Sequence, residues 1–423
     1  MNEEFLVYLW TYQLFKPNLI SSSGEVINVI SPGSRNTDSG PDFFNAKMMI
    51  DNTQWAGNVE IHVNSSDWFK HKHQTNPSYN NIILHVVFND DMPVYRKNSE
   101  LIPTMVLKHN FSSSILENYV AFQSSKNSIP CHDLIHNIKH FDKLSWFDRL
   151  MAERLEKKSD EIYEFLELTK NNFLQIFYQR LARSLGYTTN ADAMEMLASS
   201  LPLKLLLKHM DDLMQIEALL YGQAGLLSDP HKDKYPAELK KEYDFLKSKY
   251  KLQPMDSNLW RFMRMRPVSF PTIRISQLAN IIYNSSGLLN KILESEKLQS
   301  VISLLSATAS HYWINHYRFD TLAPGKTKML GLSTINIILI NTIIPIMFVY
   351  GKMKNNHSIQ ERAFDWLSEI KAESNSITNK FLSMGIKAEN ALQSQAMLQL
   401  EANYCSKKRC LSCRFGHLLL NRE

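Results

Sequence analysis

The chain has 423 residues, 44% hydrophobic and 21% charged, a balance that supports large buried cores and excludes wholesale disorder. Its length suggests two or three domains, and its formal net charge of +5 permits an anionic partner without requiring one, so a nucleic-acid surface has to come from local clusters. Of four cysteines, three (Cys405, Cys410, Cys413) crowd near the C-terminus; this is no disulfide framework for so long a chain and points to a reducing, cytoplasmic setting.

The first residues are acidic and lack the pattern of a secretory signal. Glu3 to Lys16, free of Gly and Pro and closed by Pro17, predicts a helix. Strands are predicted over 25–30, 43–50, 54–63 and 82–88, each bounded by turn residues. Between the last two, 66–73 reads as a short helix capped by Ser66, and 96–138 as a connector with strand character around Ile102 to Leu107. From about 139, helical spacing dominates: 142–185, 190–226, 236–250, 275–297, 298–316, 333–350 and 357–402. Ile335 to Val349 is apolar but contains Asn336, Asn341 and Pro345, and is shorter than the roughly 20 residues of a spanning helix, so it reads as buried and no membrane is expected. The expected architecture is α+β: an N-terminal α/β module with its connector over 1–135, a large all-α domain over 136–400 and a cysteine-rich tail over 401–423.

Polar punctuation is densest from Gly33 to Phe43, followed by Asn58-Val-Glu60-Ile-His62. With a strand period of two, Asn58, Glu60 and His62 share one face. Asp42 stands at the start of the preceding strand, where an antiparallel neighbour brings Glu60 close. Two such carboxylates suit a hard cation, Mg²⁺ or Mn²⁺. His62, His71, His73 and His85 put four of the chain's fourteen histidines within 24 residues, a density that also suits a zinc or manganese site using several of them; His71 and His73, two apart in a predicted helix and flanked by Lys70 and Lys72, read in preference as an exposed basic face. His85, within an apolar strand, reads equally as a buried hydrogen-bonded side chain or a ligand.

The helix, three strands, short helix, strand order, with Pro41-Asp42 and Glu60-x-His62, resembles the core of the PD-(D/E)XK nuclease superfamily. The resemblance implies a restriction-endonuclease-like mixed sheet flanked by helices, with Asp42 and Glu60 as metal ligands. His62 stands where that superfamily has a lysine that orients the attacking water, and imidazole is shorter and titrates near neutrality.

Cys405-x4-Cys410-x2-Cys413, with His417 four residues on, has the density of a Zn²⁺ or iron–sulfur site. The fourth ligand is either His417 or the distant Cys131. The second choice resembles a subset of PD-(D/E)XK nucleases in which one upstream and three C-terminal cysteines bind a [4Fe–4S] cluster. In 259–277, arginines alternate with aromatic residues and prolines; Arg264, Arg266 and Arg274, with Arg35, are the expected nucleic-acid contacts, DNA before RNA. Over nearly its whole length the chain resembles an uncharacterised bacterial family known only as a domain of unknown function. The expected activity is metal-dependent phosphodiester hydrolysis, with Asp42, Glu60 and His62 as the catalytic set; the alternatives are a non-catalytic nucleic-acid-binding or scaffold protein and a metal-dependent hydrolase of a small molecule.

Overall fold

The computed structural model describes residues 1–284 and 287–422. The chain divides into two compact units, one built from Met1–Trp146 together with the residues from Leu400 onward, the other from Phe147–Gln399. The C-terminal tail, expected as a separate segment, is therefore part of the N-terminal unit.

That unit opens with α1 (Glu3–Thr11), whose first turn is capped by Asn2 accepting the N–H of Phe5. The helix stops five residues before its expected end. Gln13 takes a left-handed conformation (φ +49°), and the N–H groups of Gln13 and Leu14 turn back to the carbonyls of Trp10 and Leu9. This is a Schellman closure, which apolar periodicity does not reveal.

The sheet contains β1 (Leu19–Ile20), β2 (Val26–Ser31), β3 (Ser34–Arg35), β4 (Phe43–Ile50), β5 (Thr53–Asn64), β6 (Ile82–Asn89) and β7 (Thr104–Val106). It runs β1-β2-β4-β5-β6-β7, with β3 paired to β4. The pairs up to β4–β5 are antiparallel, whereas β5–β6 and β6–β7 are parallel. The sheet is thus mixed, and β5 is the strand where its direction changes. From Val59 to His62 every residue of β5 is buried, so the polar face of this strand is enclosed rather than solvated. Around the sheet lie α1, the short α2 (Asp67–Lys70) and α3 (Ser113–Ser124), the last a helix within the expected connector. α4 (His140–Leu168) begins in this unit and continues into the next.

The second unit is mainly helical. Its long predicted windows are broken at specific residues: 142–185 divides where Lys170 and Asn171 both have positive φ. The window 298–316 holds the helix Leu298–Leu305 and a single turn, His311–Ile314, and at its end a small hairpin begins, His316–Arg318 against Thr321–Leu322, closed at Asp320 (φ +58°). A strand pair thus interrupts the expected all-α domain. The apolar stretch forms one helical run, Leu332–Met353, longer than expected. By length and composition it could cross a membrane, but its most apolar window is 72% buried within the protein, as in a core helix.

Candidate metal centre

Asp42 is placed by a loop that Asn36 organises. The Asn36 side-chain amide donates to the carbonyls of Asp38, Ser39 and Pro41 (3.3, 3.3 and 3.0 Å), and its backbone N–H donates to Asp42 O at 2.7 Å. Gly33 (φ +87°) brings β3 onto β4; a Cβ there would lie 2.4 Å from Phe44 O, so only glycine fits. In the β4–β5 register Phe43 faces Val59, which sets Asp42 beside Glu60. The Asp42 N–H donates to Glu60 Oε2 at 3.1 Å, and the Ile61 N–H donates to Asp42 Oδ2 at 2.9 Å. Each carboxylate is clasped by the other's strand and keeps a second oxygen outside that clasp.

Three imidazoles converge on the same place. Asp91 anchors the start of α2, accepting from Ser65 Oγ, the Ser66 N–H and Ser66 Oγ at 2.9, 2.8 and 2.7 Å. The Ser66 hydroxyl is therefore spent on Asp91 and makes no cap to α2, contrary to expectation. α2 ends at Lys70, and Lys72 is left-handed (φ +62°), so the chain swings back and both His71 and His73 reach His62. His62 Nε2 lies 3.1 Å from His71 Nδ1 and 3.6 Å from Glu60 Oε1, and His73 Nε2 lies 3.1 Å from Glu60 Oε1. The ligand atoms of His62, His71 and His73 all fall within 4.8 Å of one another. Behind them, His62 Nδ1 is 2.8 Å from His85 Nε2, and the His73 ring stacks on Tyr79 at 3.8 Å.

His62, His73 and His85 are buried and His71 is exposed. His73 Nε2 is buried without a hydrogen-bond partner: it is close to Glu60 Oε1 but not aligned with it as a donor to an acceptor. Burial, then the neighbouring Asp42, pushes the Glu60 carboxyl up to about 9, and burial raises Asp42 as well. Burial, followed by the other imidazoles, holds His62 down to about 2; burial and then His73 hold His85 to about 3. His62 and His73, both held low by burial, stand with His71 beside carboxyls that repel one another; imidazole nitrogens and carboxylate oxygens so placed form a donor set that suits a cation, and a cation would reverse the carboxyl shifts.

The structure thus brings together Asp42, Glu60 and His62, as the sequence predicted. It adds His71 and His73: His71 is exposed as expected, but His73 is buried and the two rings converge instead of diverging, because the helix that would have separated them ends before they begin. The signal available in the sequence was the His-x-His spacing itself.

The second cluster lies in the same unit. Cys131, Cys405, Cys410 and Cys413 are all buried and line one small cavity with Tyr404, Arg409 and Gly416. Burial first, then the neighbouring thiols, raises Cys131 and Cys405, and burial and Cys413 push Cys410 up to about 12. A Cβ on Gly416 would lie 2.0 Å from Cys410 O, so glycine lets the C-terminal helix Arg414–Leu420 close over the cavity. The tail is held by Gln123 Nε2 donating to Lys408 O at 2.9 Å and by Lys408 Nζ donating to Gln123 O. His417 faces α1, with Nδ1 3.1 Å from the Tyr8 hydroxyl and its ring 4.2 Å from that of Tyr12. Of the two candidate fourth ligands, Cys131 is the one the fold brings to the cavity.

The arginines separate. Arg35 is exposed on β3, and its charge lowers the Asp42 carboxyl against the effect of burial. Arg264 and Arg266 are exposed in the helical unit. Arg274, expected to contact nucleic acid, is instead 4% exposed, with its guanidinium donating to Gln277 Oε1 (2.8 Å), Ser269 Oγ (3.3 Å), Tyr187 OH and Thr334 Oγ1 (both 3.4 Å). It is a core side chain.

A mixed-sheet unit with a carboxylate–imidazole cluster, joined in sequence to a mainly helical unit, defines the class of protein. The chain belongs to the family described as "Protein of unknown function (DUF2851)", matched over residues 3–376. The match takes in the carboxylates, the histidines and Cys131, and ends before Cys405. No curated protein and no solved structure matches the chain.

Proposed function

We propose that the protein is a metal-dependent phosphodiester hydrolase acting on nucleic acid, DNA before RNA, from the cluster on β4 and β5. The observation that carries this reading is the reciprocal clasp of Asp42 and Glu60, which fixes two carboxylates on adjacent strands beside three imidazoles. A divalent ion bound there supplies polarisation of a phosphoryl oxygen and a bound water of lowered pKa. Asp42 and Glu60 hold the ion. His62, engaged at Nδ1 by His85, presents Nε2 to the same space and orients the water where a PD-(D/E)XK nuclease has its lysine.

The likeness to that superfamily, and with it the restriction-endonuclease-like description of the sheet, is supported by the order α1, β2, β4, β5, α2, β6 and by Asp42 preceding β4 with Glu60 on β5. Arg35, beside Asp42, is a phosphate contact in this reading; Arg264 and Arg266 offer further exposed cations. The four buried thiols suit Zn²⁺ or a [4Fe–4S] cluster that fastens the tail, in a reducing cytoplasm.

Purified protein mixed with labelled single- and double-stranded DNA and RNA, in Mn²⁺ or EDTA, tests this. Metal-dependent cleavage that falls by about 10³-fold, roughly 4 kcal/mol of barrier, in Asp42→Ala and Glu60→Gln is expected. Binding without cleavage in any metal overturns the hydrolase and leaves a nucleic-acid-binding scaffold. Cleavage confined to a small diester such as bis(p-nitrophenyl) phosphate leaves a small-molecule hydrolase.

A further inference from the structure

We infer that the ion at this centre is a transition metal held by His62, His71, His73 and the Glu60 carboxylate, not Mg²⁺. The inference deepens the proposed hydrolase by naming its metal and by moving His62 from the water onto the ion, with Asp42 supporting Glu60 through its backbone N–H; it concerns binding and stands or falls separately from cleavage.

The separations between donor atoms are those of ligands sharing one ion. Metal–ligand bonds of about 2.0–2.1 Å place neighbouring donors about 3.0–3.4 Å apart in octahedral or tetrahedral arrangements. Two observed pairs, His62 to His71 and His73 to Glu60, fall in that range at 3.1 Å; His62 to Glu60 is wider, at 3.6 Å, and the ligand atoms of the three imidazoles lie within 4.8 Å of one another. The His62–His71 pair is also aligned as a hydrogen bond, so the distinguishing pair is the one that is not. His73 Nε2 is buried and without a hydrogen bond although a carboxylate oxygen lies 3.1 Å away. Two atoms so close and misaligned are placed as ligands to a third atom are.

The surroundings match. His85 on His62 Nδ1 fixes that ring and leaves Nε2 for the ion, as an outer partner of a metal-bound histidine does. Tyr79 stacks on His73, and the left-handed Lys72 turns its backbone inward. His71, the exposed member, puts one side of the group at the surface, where water or substrate can complete the coordination. Three imidazole nitrogens with one carboxylate oxygen suit Zn²⁺, Co²⁺, Mn²⁺ or Fe²⁺, whereas Mg²⁺ requires oxygen ligands.

The test uses full-length protein freed of metal with a chelator and titrated with Co²⁺ under reducing conditions, followed by visible absorption and calorimetry. The cysteine pocket is distinguished by its sulfur-to-cobalt charge-transfer band. The expected result is one Co²⁺ bound without that band, displaced by Zn²⁺ and not by a large excess of Mg²⁺. His71→Ala, a change at an exposed position, should weaken this binding by at least about 10–100-fold, and so should His73→Ala; Cys410→Ser should leave it unchanged. Binding of sulfur type alone, wild-type affinity in both histidine variants, or equal competition by Mg²⁺ overturns the assignment. Co²⁺ held by the histidines in a protein that cleaves nothing removes the hydrolase and keeps the metal site; Mg²⁺-dependent cleavage with no histidine-held Co²⁺ does the reverse.

Discussion

Glu217 in the helical unit and Glu60 in the sheet unit are both deeply buried, 2% and 5% exposed, yet their surroundings are opposite. Glu217 Oε1 accepts from Ser276 Oγ and Ser310 Oγ at 2.7 and 2.6 Å, and Oε2 accepts from Tyr235 OH at 2.7 Å. Burial raises its carboxyl, and the hydrogen bonds from those hydroxyls act against the rise. Around Glu60 the second influence after burial is Asp42, another acid, which drives the carboxyl further up. Nearby, His73 Nε2 stays unpaired. Glu217 is buried among hydroxyls that match its oxygens, whereas Glu60 is buried beside a second carboxyl and an imidazole nitrogen without a hydrogen bond, an arrangement that costs stability in the protein as it stands.

The contrast breaks most directly by removing each carboxylate. Glu217→Ala takes the shared acceptor from three hydroxyls, leaving Ser276 and Ser310 with each other and Tyr235 without its acceptor, at ~1–3 kcal/mol for each hydrogen bond lost, so denaturant unfolding should show a loss of about 3 kcal/mol. Glu60→Gln in metal-free protein should be neutral or stabilising, because it relieves the repulsion with Asp42; comparable losses in both would erase the distinction. Arg274→Ala tests the same principle with a cation: removing its contacts with Gln277 and Ser269 should destabilise by about 2 kcal/mol without changing the salt dependence of DNA binding.

Gly416→Ala extends the comparison to the thiols. The new Cβ collides with Cys410 O, and a loss of about 1–3 kcal/mol, with faster proteolysis of the tail, is expected. A tail as protected as in the wild type would show that the close approach is not needed.

A subtler difference appears with pH. The folded-state pKa of Glu217 is raised, so the native protein holds its proton more tightly than the unfolded chain does. Its contribution to stability is full below the unfolded value and is lost as pH rises toward the folded one. Glu217→Gln, which mimics the protonated acid, should therefore gain on the wild type as pH is raised from 4 to 7 in thermal melts; a gap that shrinks over this range would reverse the sign. The smallest effects belong to the surface: Arg264→Ala and Arg266→Ala should leave stability within about 0.5 kcal/mol and each flatten the salt dependence of DNA binding by about one unit.

The four principal strands were legible because each is β-branched or alternating and bounded by turn residues, and the pairing of Asp42 with Glu60 followed from an antiparallel hairpin. Three kinds of information were hidden. Single left-handed residues, Gln13 and Lys72, end one helix early and redirect two histidines, and no periodicity encodes them. Arg274 looked like its exposed neighbours Arg264 and Arg266 because burial is decided by tertiary packing, not by local composition. The destination of the tail depended on contacts such as Gln123 with Lys408, 285 residues apart.

The sheet unit is discontinuous in sequence, holding residues before Phe147 and again after Gln399. At a synthesis rate of ~5–20 residues per second, the intervening segment takes on the order of 10–50 s to emerge. During that interval Asp42, Glu60 and the histidines are already available, while Cys131 waits as a lone thiol without the three partners that line its cavity. Assembly of the two clusters is thereby ordered in time: the carboxylates and imidazoles of the first are all made while translation continues, but the thiol pocket forms only after the helical insert has been synthesised. A chain released early would carry the residues of the first cluster and only one of the four thiols of the second.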